Sequence, residues 1–269
     1  MSRLDKFEKA GFTITYPDWK MKAVALSYDD GNIADRRLVK IFNKYGLKGT
    51  FHLPSTRIVS CETAVNEDEI KTLYAGHEIS AHGANHINLA EAETEVVKKE
   101  IADDCSEWRR ILGHDVIGYS YPYGAYSDMV IDVLHENNLC YSRTVENVEK
   151  FDLPDDFMKW HPHTHHNGNI ALWCEKYLTF EPQKLSVLLV WGHSYEFDRQ
   201  NNWEIIEEFC SAIAGHEDIY YAGMGDIAIY AKALEQVEIS SDGKNLINNS
   251  DTPIYFIIDG ERKTVAPAR

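Results

Sequence analysis

The sequence is short of cysteine, of positive charge and of long apolar runs. Its five cysteines, Cys61, Cys105, Cys140, Cys174 and Cys210, form no C-x-x-C pair. That argues against a thiolate zinc site and against a disulfide framework. Only 27 basic residues stand against 43 acidic ones, a formal net charge of −16. Such a surface repels phosphate backbones and anionic membranes, so neither nucleic acid nor a membrane is an expected partner. No run of 18 apolar residues occurs, and Met1–Ala10 (MSRLDKFEKA) has no apolar h-region. The expectation is a soluble, cytoplasmic protein without a secretory signal. No internal repeat and no low-complexity tract interrupts the chain.

What is present suits a globular fold. The 269 residues are 44% hydrophobic and 26% charged, enough for one large domain or two small ones. Short apolar runs alternate with helical patterns. Ala23–Tyr28 (AVALSY) reads as a buried strand, and Asp35–Tyr45 as a helix stopped by Gly46. Gly49–Leu53, a short strand after Gly76, Ile117–Tyr121, Leu139–Arg143, Leu185–Trp191 and Ile219–Ala222 read as further strands. Glu67–Tyr74, Glu91–Leu112, Ser127–Glu136, Trp203–Ala214 and Gly225–Leu234 read as helices. Val97, Ile101, Trp108, Ile111 and Leu112 give the long helix one apolar stripe, with charge elsewhere. About seven β-then-α units predict a parallel sheet, because parallel strands need crossover connections. The tail alternates around Asp242-Gly243 and Asp259-Gly260, as hairpins do. Residues 1–236 are therefore expected to form the main domain, and residues 237–269 a β-hairpin appendage packed on it.

Polar clusters follow the strands, at the sheet edge where α/β proteins build their sites. Asp29 and Asp30 end the first strand, and two adjacent carboxylates call for a compensating cation. A plain β-to-α turn would also use Asp30-Gly31. His82 and His86, four apart, would share one face of a helical turn and could chelate one metal. Ser120-Tyr121-Pro122-Tyr123-Gly124 ends another strand, and Trp191-Gly192-His193-Ser194 a fourth. His161, His163, His165 and His166 crowd one tract, which could bind metal or be a solvated loop.

The order and combination of these clusters resemble the polysaccharide deacetylase family, the NodB-homology domain of carbohydrate esterase family 4. The resemblance runs from about Ala23 to Ala233. It implies an α/β fold, a distorted, incomplete (β/α) barrel of the NodB type. Tyr28-Asp29-Asp30-Gly31 matches the first family motif, which implies Asp29 as general base and Asp30 as metal ligand. His82 and His86 match the H-x-x-x-H motif and are implied as the other two ligands. Pro122-Tyr123-Gly124 implies that the backbone N–H of Tyr123 helps hold an oxyanion, and that its side chain lines the groove. The strand ending at His193 implies that residue as catalytic acid. Trp160 is a candidate for the Trp of the fourth motif, with Asp152, Asp155 and Asp156 competing for its Asp. Gly83 stands where many members have Ser or Thr. Ser120 stands where many have the Arg that orients the base, so the group orienting Asp29 is unassigned.

The implied activity is removal of acetyl groups from N-acetylated sugars. The implied cofactor is one divalent metal ion, zinc first, with cobalt, nickel or another first-row ion able to substitute. Aromatic side chains, Tyr123, Trp160 and Trp191, are the candidates for a sugar platform. Two other readings stay open at this point: an amidase acting on a non-sugar amide or cyclic imide, and a non-catalytic carbohydrate-binding protein. Glu196 and Asp198 have no assigned role, and the sequence does not give the oligomeric state.

Overall fold

A computed structural model describes residues 4–268. Its main sheet is built of parallel strands in the order β6 (Tyr141–Arg143), β5 (Gly118–Ser120), β4 (Glu78–Ala81), β3 (Gly49–Leu53), β2 (Lys22–Asp29), β8 (Ser186–Gly192) and β7 (Thr164–His165). An eighth strand, β9 (Ile219–Tyr221), pairs with the start of β2. Helices cross between strands: α2 (Asp35–Tyr45), α3 (Ser55–Ser60), α4 (Ile70–Leu73), α5 (Thr94–Leu112), α6 (Asp128–Glu136), α7 (Ile170–Leu178), α8 (Ser194–Gln200) and α9 (Trp203–Ile213), while α10 (Met224–Ala233) follows the last strand of the sheet. A one-turn helix, α1 (Asp5–Lys9), precedes the sheet.

The sheet curls into a half-barrel. Strands β2 and β6 are four places apart, roughly 19 Å at about 4.8 Å per place in a flat sheet. Yet Arg143 Nε on β6 donates to Ser27 Oγ on β2 at 2.9 Å. The strand path ends at β6 and β7, which do not pair with each other as strands; the segment leading into β7 bridges to β6 at one point, Trp160 N to Ser142 O at 3.0 Å and Thr144 N to Trp160 O at 3.1 Å.

Alternation along β2 sorts its side chains into two cores. Val24, Leu26 and Tyr28 pack outward with Leu38 and Phe42 of α2 and Ile206 and Phe209 of α9. Ala23 and Ala25 face inward with Val187 and Leu189, over Met224, Ile227 and Tyr230 of α10. All eight residues of β2 are buried, as expected of a parallel strand covered on both faces. Above the two inward alanines the same face continues as Ser27 and Asp29, so apolar filling gives way to polar chemistry toward the C-terminal edge.

The tail forms two hairpins, β10 (Val237–Ile239) with β11 (Leu246–Asn248), and β12 (Ile254–Ile258) with β13 (Glu261–Val265). Asp259 and Gly260 both take positive φ, which a two-residue hairpin turn requires. Strand β12 also pairs with β1 (Thr13–Thr15), so the start of the chain completes a three-stranded antiparallel sheet. Among the described residues no helix is long and apolar enough to cross a membrane.

Candidate active site

Because the main sheet is parallel, its strand ends gather on one rim. Asp29 ends β2, His82 follows β4, Ser120 ends β5, Arg143 ends β6 and His193 follows β8. Asp29 is buried, and Arg143 Nη2 bonds its Oδ2 directly. Ser120 Oγ donates to its Oδ1 at 3.2 Å. Burial alone would raise the Asp29 pKa. The Arg143 guanidinium, with His82 behind it, outweighs burial and holds the carboxyl well below the usual range. Arg143 is itself fully buried, its guanidinium 4.4 Å from the centre of the Trp191 ring. Asp29 is thus oriented by an arginine one strand beyond the place where the family pattern puts one. The signal was in the sequence: Arg143 ends the strand that follows Ser120.

His82 and His86 do meet, with ring centroids 4.7 Å apart, but not on a helical turn. The segment between them is a loop, with φ of +80° at Gly83 and +56° at His86. A Cβ on Gly83 would lie 2.9 Å from Tyr119 Oη and 3.2 Å from Glu100 Oε1, so no serine or threonine fits there without movement. Three residues of the rim, Asp30, His86 and Tyr123, take left-handed backbone conformations despite carrying side chains. Strain held at three neighbouring positions marks a functional site.

Asp30, His82 and His86 bring one potential ligand atom each within 4.8 Å of one another. His82 Nδ1 lies 2.8 Å from the Ser120 carbonyl, so it carries the ring proton and Nε2 is left with its lone pair. Burial pushes the His82 pKa down to about 4, which keeps the ring neutral, the form that ligates. Asp30 Oδ1 is buried with no hydrogen-bond partner, and His86 Nε2 stands 3.7 Å from it. Arg57 Nη1 also stands 3.5 Å from Asp30 Oδ1, and a buried carboxylate oxygen that accepts no hydrogen bond, beside two imidazoles, is a donor set a divalent first-row metal fits.

The second His cluster is built differently. Glu196 faces His193 Nδ1 at 3.2 Å, His166 Nε2 at 3.0 Å and His165 Nε2 at 3.1 Å. Asn167 Nδ2 donates to it at 3.1 Å. The Asn167 amide donates to His165 Nδ1, so the neutral His165 ring carries its proton on Nε2, toward Glu196. Burial opposes ionisation of Glu196, but the three imidazoles hold its pKa well below the usual range. Burial likewise disfavours charge on His193, yet Glu196, then Asp29 and Asp30, raise its pKa above the ordinary imidazole value. His193 is therefore a histidine disposed to carry a proton beside an ionised base.

The remaining expectations fall into place one by one. Trp160 does not offer a sugar platform: it is 1% exposed and packs edge-on against Tyr141 and Phe157 in the inner core. Tyr123, 68% exposed with its ring 4.8 Å from that of His86, is the open aromatic. Trp191 lies against Arg143. His163 is structural, accepting the Leu189 amide at Nδ1, and His161 bonds Thr144 Oγ1. Asp156 caps its own turn and Asp152 pairs with Lys184, so neither serves the acid. Asp198 accepts from Trp203 Nε1 and joins α8 to α9. His52, the register partner of Asp29 on β3, was not singled out by sequence; burial keeps it neutral, at about 3.

A curled parallel sheet with this rim defines an α/β fold of the NodB, carbohydrate esterase family 4 type. Residues 17–142 match the sequence model of the polysaccharide deacetylase family. A peptidoglycan deacetylase from Helicobacter pylori is 29% identical over 119 residues, 43% of this chain and 38% of that protein. The matched region thus spans well under half of that relative. A protein from Mycobacterium smegmatis named as a polysaccharide deacetylase superposes with a TM-score of 0.63 at 19% identity, over 82% of this chain and 93% of that one. A family 4 carbohydrate esterase from Streptomyces lividans, in complex with acetate, gives 0.52 at 15% identity, over 73% and 90%. At these identities the likeness speaks for the fold.

Proposed function

We propose that this chain is a metal-dependent deacetylase of N-acetylated sugars, with Asp30, His82 and His86 holding one divalent ion. The observation that carries the proposal is the pairing, on the same rim, of an Asp29 carboxylate held by Arg143 with a His193 bonded to the Glu196 carboxylate, which raises its pKa. Binding a sugar needs neither group, whereas amide hydrolysis needs a base and an acid. A bound metal would supply Lewis acidity, activating water and polarising the acetyl carbonyl. Asp29 takes the proton of the attacking water, and Arg143 with Ser120 keeps its carboxylate aimed. The Tyr123 N–H is assigned to the developing oxyanion. His193 donates its proton to the departing nitrogen, which leaves poorly as an amide anion. Tyr123 gives the sugar an aromatic face at the rim. Relatives named for polysaccharide and peptidoglycan deacetylation support a sugar as the bearer of the acetyl group. Release of acetate from a panel of N-acetylglucosamine oligomers and simple non-sugar acetamides, with and without chelator, tests this. Acetate from the sugars, lost on chelation and restored by zinc or cobalt, is the expected result. Turnover only of the non-sugar amides would overturn the substrate class, and chelator-resistant turnover the metal.

A further inference from the structure

Helix α5 carries two carboxylates on its buried side, where its sequence promised an apolar stripe. Glu100 is 5% exposed and Asp104 is 0% exposed. Each is committed to the loops that shape the rim. Asp104 Oδ2 accepts the backbone amide of His82, and Oδ1 that of Ser55, both at 2.9 Å. Glu100 Oε1 accepts the backbone amide of Asn85 at 2.5 Å, and Oε2 accepts from Asn85 Nδ2 at 2.8 Å. One turn further on, Trp108 Nε1 donates to the Leu53 carbonyl at 3.0 Å. The spacing 100, 104, 108 sets all three on one stripe of the helix.

The two loops are also stitched to each other, Thr56 N to Ala84 O at 3.0 Å. The stripe thus fixes the backbone at His82 and at Asn85, the residue before His86. His86 is held at a φ of +56°, which a side-chain-bearing residue keeps only when its surroundings impose it. The hydrogen bonds of both carboxylates go to the loop backbone and to Asn85, not to the ligand atoms of the rim.

We propose that Glu100 and Asp104 are positioning residues that hold the 82–86 loop in its metal-binding shape, and so set metal affinity without touching the metal. This rests on the reading of Asp30, His82 and His86 as the metal site. Ligand geometry imposed from behind is commonly worth 10- to 100-fold in affinity.

The test is the Zn²⁺ affinity of the full chain, by competition with a chromophoric chelator, for wild type, Asp104→Asn, Glu100→Gln and Val97→Ala. Val97 is buried on the same helix but bonds to neither loop, so its truncation reports destabilisation alone. Asp104→Asn keeps the volume and turns an amide donor toward an amide donor. Glu100→Gln is milder, since the Asn85 side-chain amide that faces one of its oxygens can turn its own Oδ1 to accept the new donor, and it answers if Asp104→Asn fails to fold. Expected is a Kd weakened about 10- to 100-fold in the carboxylate variants, with Val97→Ala losing melting temperature but keeping the wild-type Kd. Unchanged affinity in folded carboxylate variants, or a loss equal to that of Val97→Ala, overturns the proposal. Absence of metal binding by the wild type would instead overturn the metal site itself, and the proposal with it.

Discussion

Two clusters on this rim contain the same ingredients, two histidines and a carboxylate: Asp30 with His82 and His86, and Glu196 with His165 and His166. They differ in where the protons are. In the first, the Ser120 carbonyl fixes the proton of His82 on Nδ1 and leaves Nε2 bare, while Asp30 Oδ1 accepts no hydrogen bond and lies 3.5 Å from Arg57 Nη1. In the second, the Asn167 amide occupies His165 Nδ1 and turns an N–H toward a carboxylate that Asn167 Nδ2 also reaches. One set keeps a carboxylate oxygen without a hydrogen bond beside imidazole lone pairs; the other has answered its carboxylate with hydrogen-bond donors. Composition alone does not separate a cation site from a hydrogen-bonded hub, whereas the partner of the far ring nitrogen does. The hub then has a different use, since its carboxylate also holds His193.

The sharpest break of this comparison removes a ligand of the first cluster. His82→Ala or His86→Ala should abolish both stoichiometric metal and turnover, because two remaining ligands cannot hold the ion. Elemental analysis showing full occupancy in either variant would sink the assignment. Next in size is Asp29→Asn, which leaves Asp30, His82 and His86 intact. Metal content should stay at the wild-type level while turnover falls by roughly 10²–10⁴. Removing the partner, Arg143→Met, strands a buried carboxylate and should cost about 3–5 kcal/mol of stability, read from denaturant midpoints. A neutral result there would mean that Asp29 does not depend on its arginine.

Local signals carried much of the fold. The helix Asp35–Tyr45 and its left-handed Gly46 stop occur where apolar spacing and the glycine put them. Ser127 caps α6 through the Val130 amide, and the β2 run is a buried strand as its composition implies. Where contacts are distant, sequence reading had nothing to hold. Strand β1 exists because Ile14 pairs with Phe256, at the other end of the chain. Thr164–His165 is a strand inside a histidine tract whose composition suggested only a loop or a metal site. Glu100 and Asp104 look like solvent-facing acids until the amides they accept are seen. In the site, motif residues were readable because they are fixed by chemistry. The supports, Arg143 and Glu196, are less specific: Arg143 does close an expected strand, but any nearby strand end or turn can supply a guanidinium or a carboxylate.

Loss of the acid should cost less than loss of the base, and should depend on the substrate. With His193→Ala, an acetamide is left without a proton for its nitrogen, whereas an activated aryl acetate departs without one. The deficit should therefore shrink from amide to ester in a folded, metal-loaded variant. Equal deficits on both would remove His193 from the mechanism and leave it as a packing residue.

The smallest expected effect, and the finest test of the two clusters, is Glu196→Gln. If the second cluster is a hub and not a cation site, the variant keeps the wild-type metal content. What it changes is the proton on His193. Glu196 raises that pKa, and His193 acts protonated, so activity persists below the raised pKa and is lost as pH climbs through it. Taking away the carboxylate's charge lowers the pKa, so the alkaline limb of the rate profile should move to lower pH. A hydrogen bond to a charged group is worth about 1.5–3 kcal/mol, which corresponds to a shift of about 1–2 pH units. Below the new limb, where His193 is still protonated, the rate should approach that of the wild type. A uniform loss at every pH would indicate misplacement of His193 and not a change in its proton affinity. Loss of a metal equivalent would convert the hub into a second cation site and reverse the comparison.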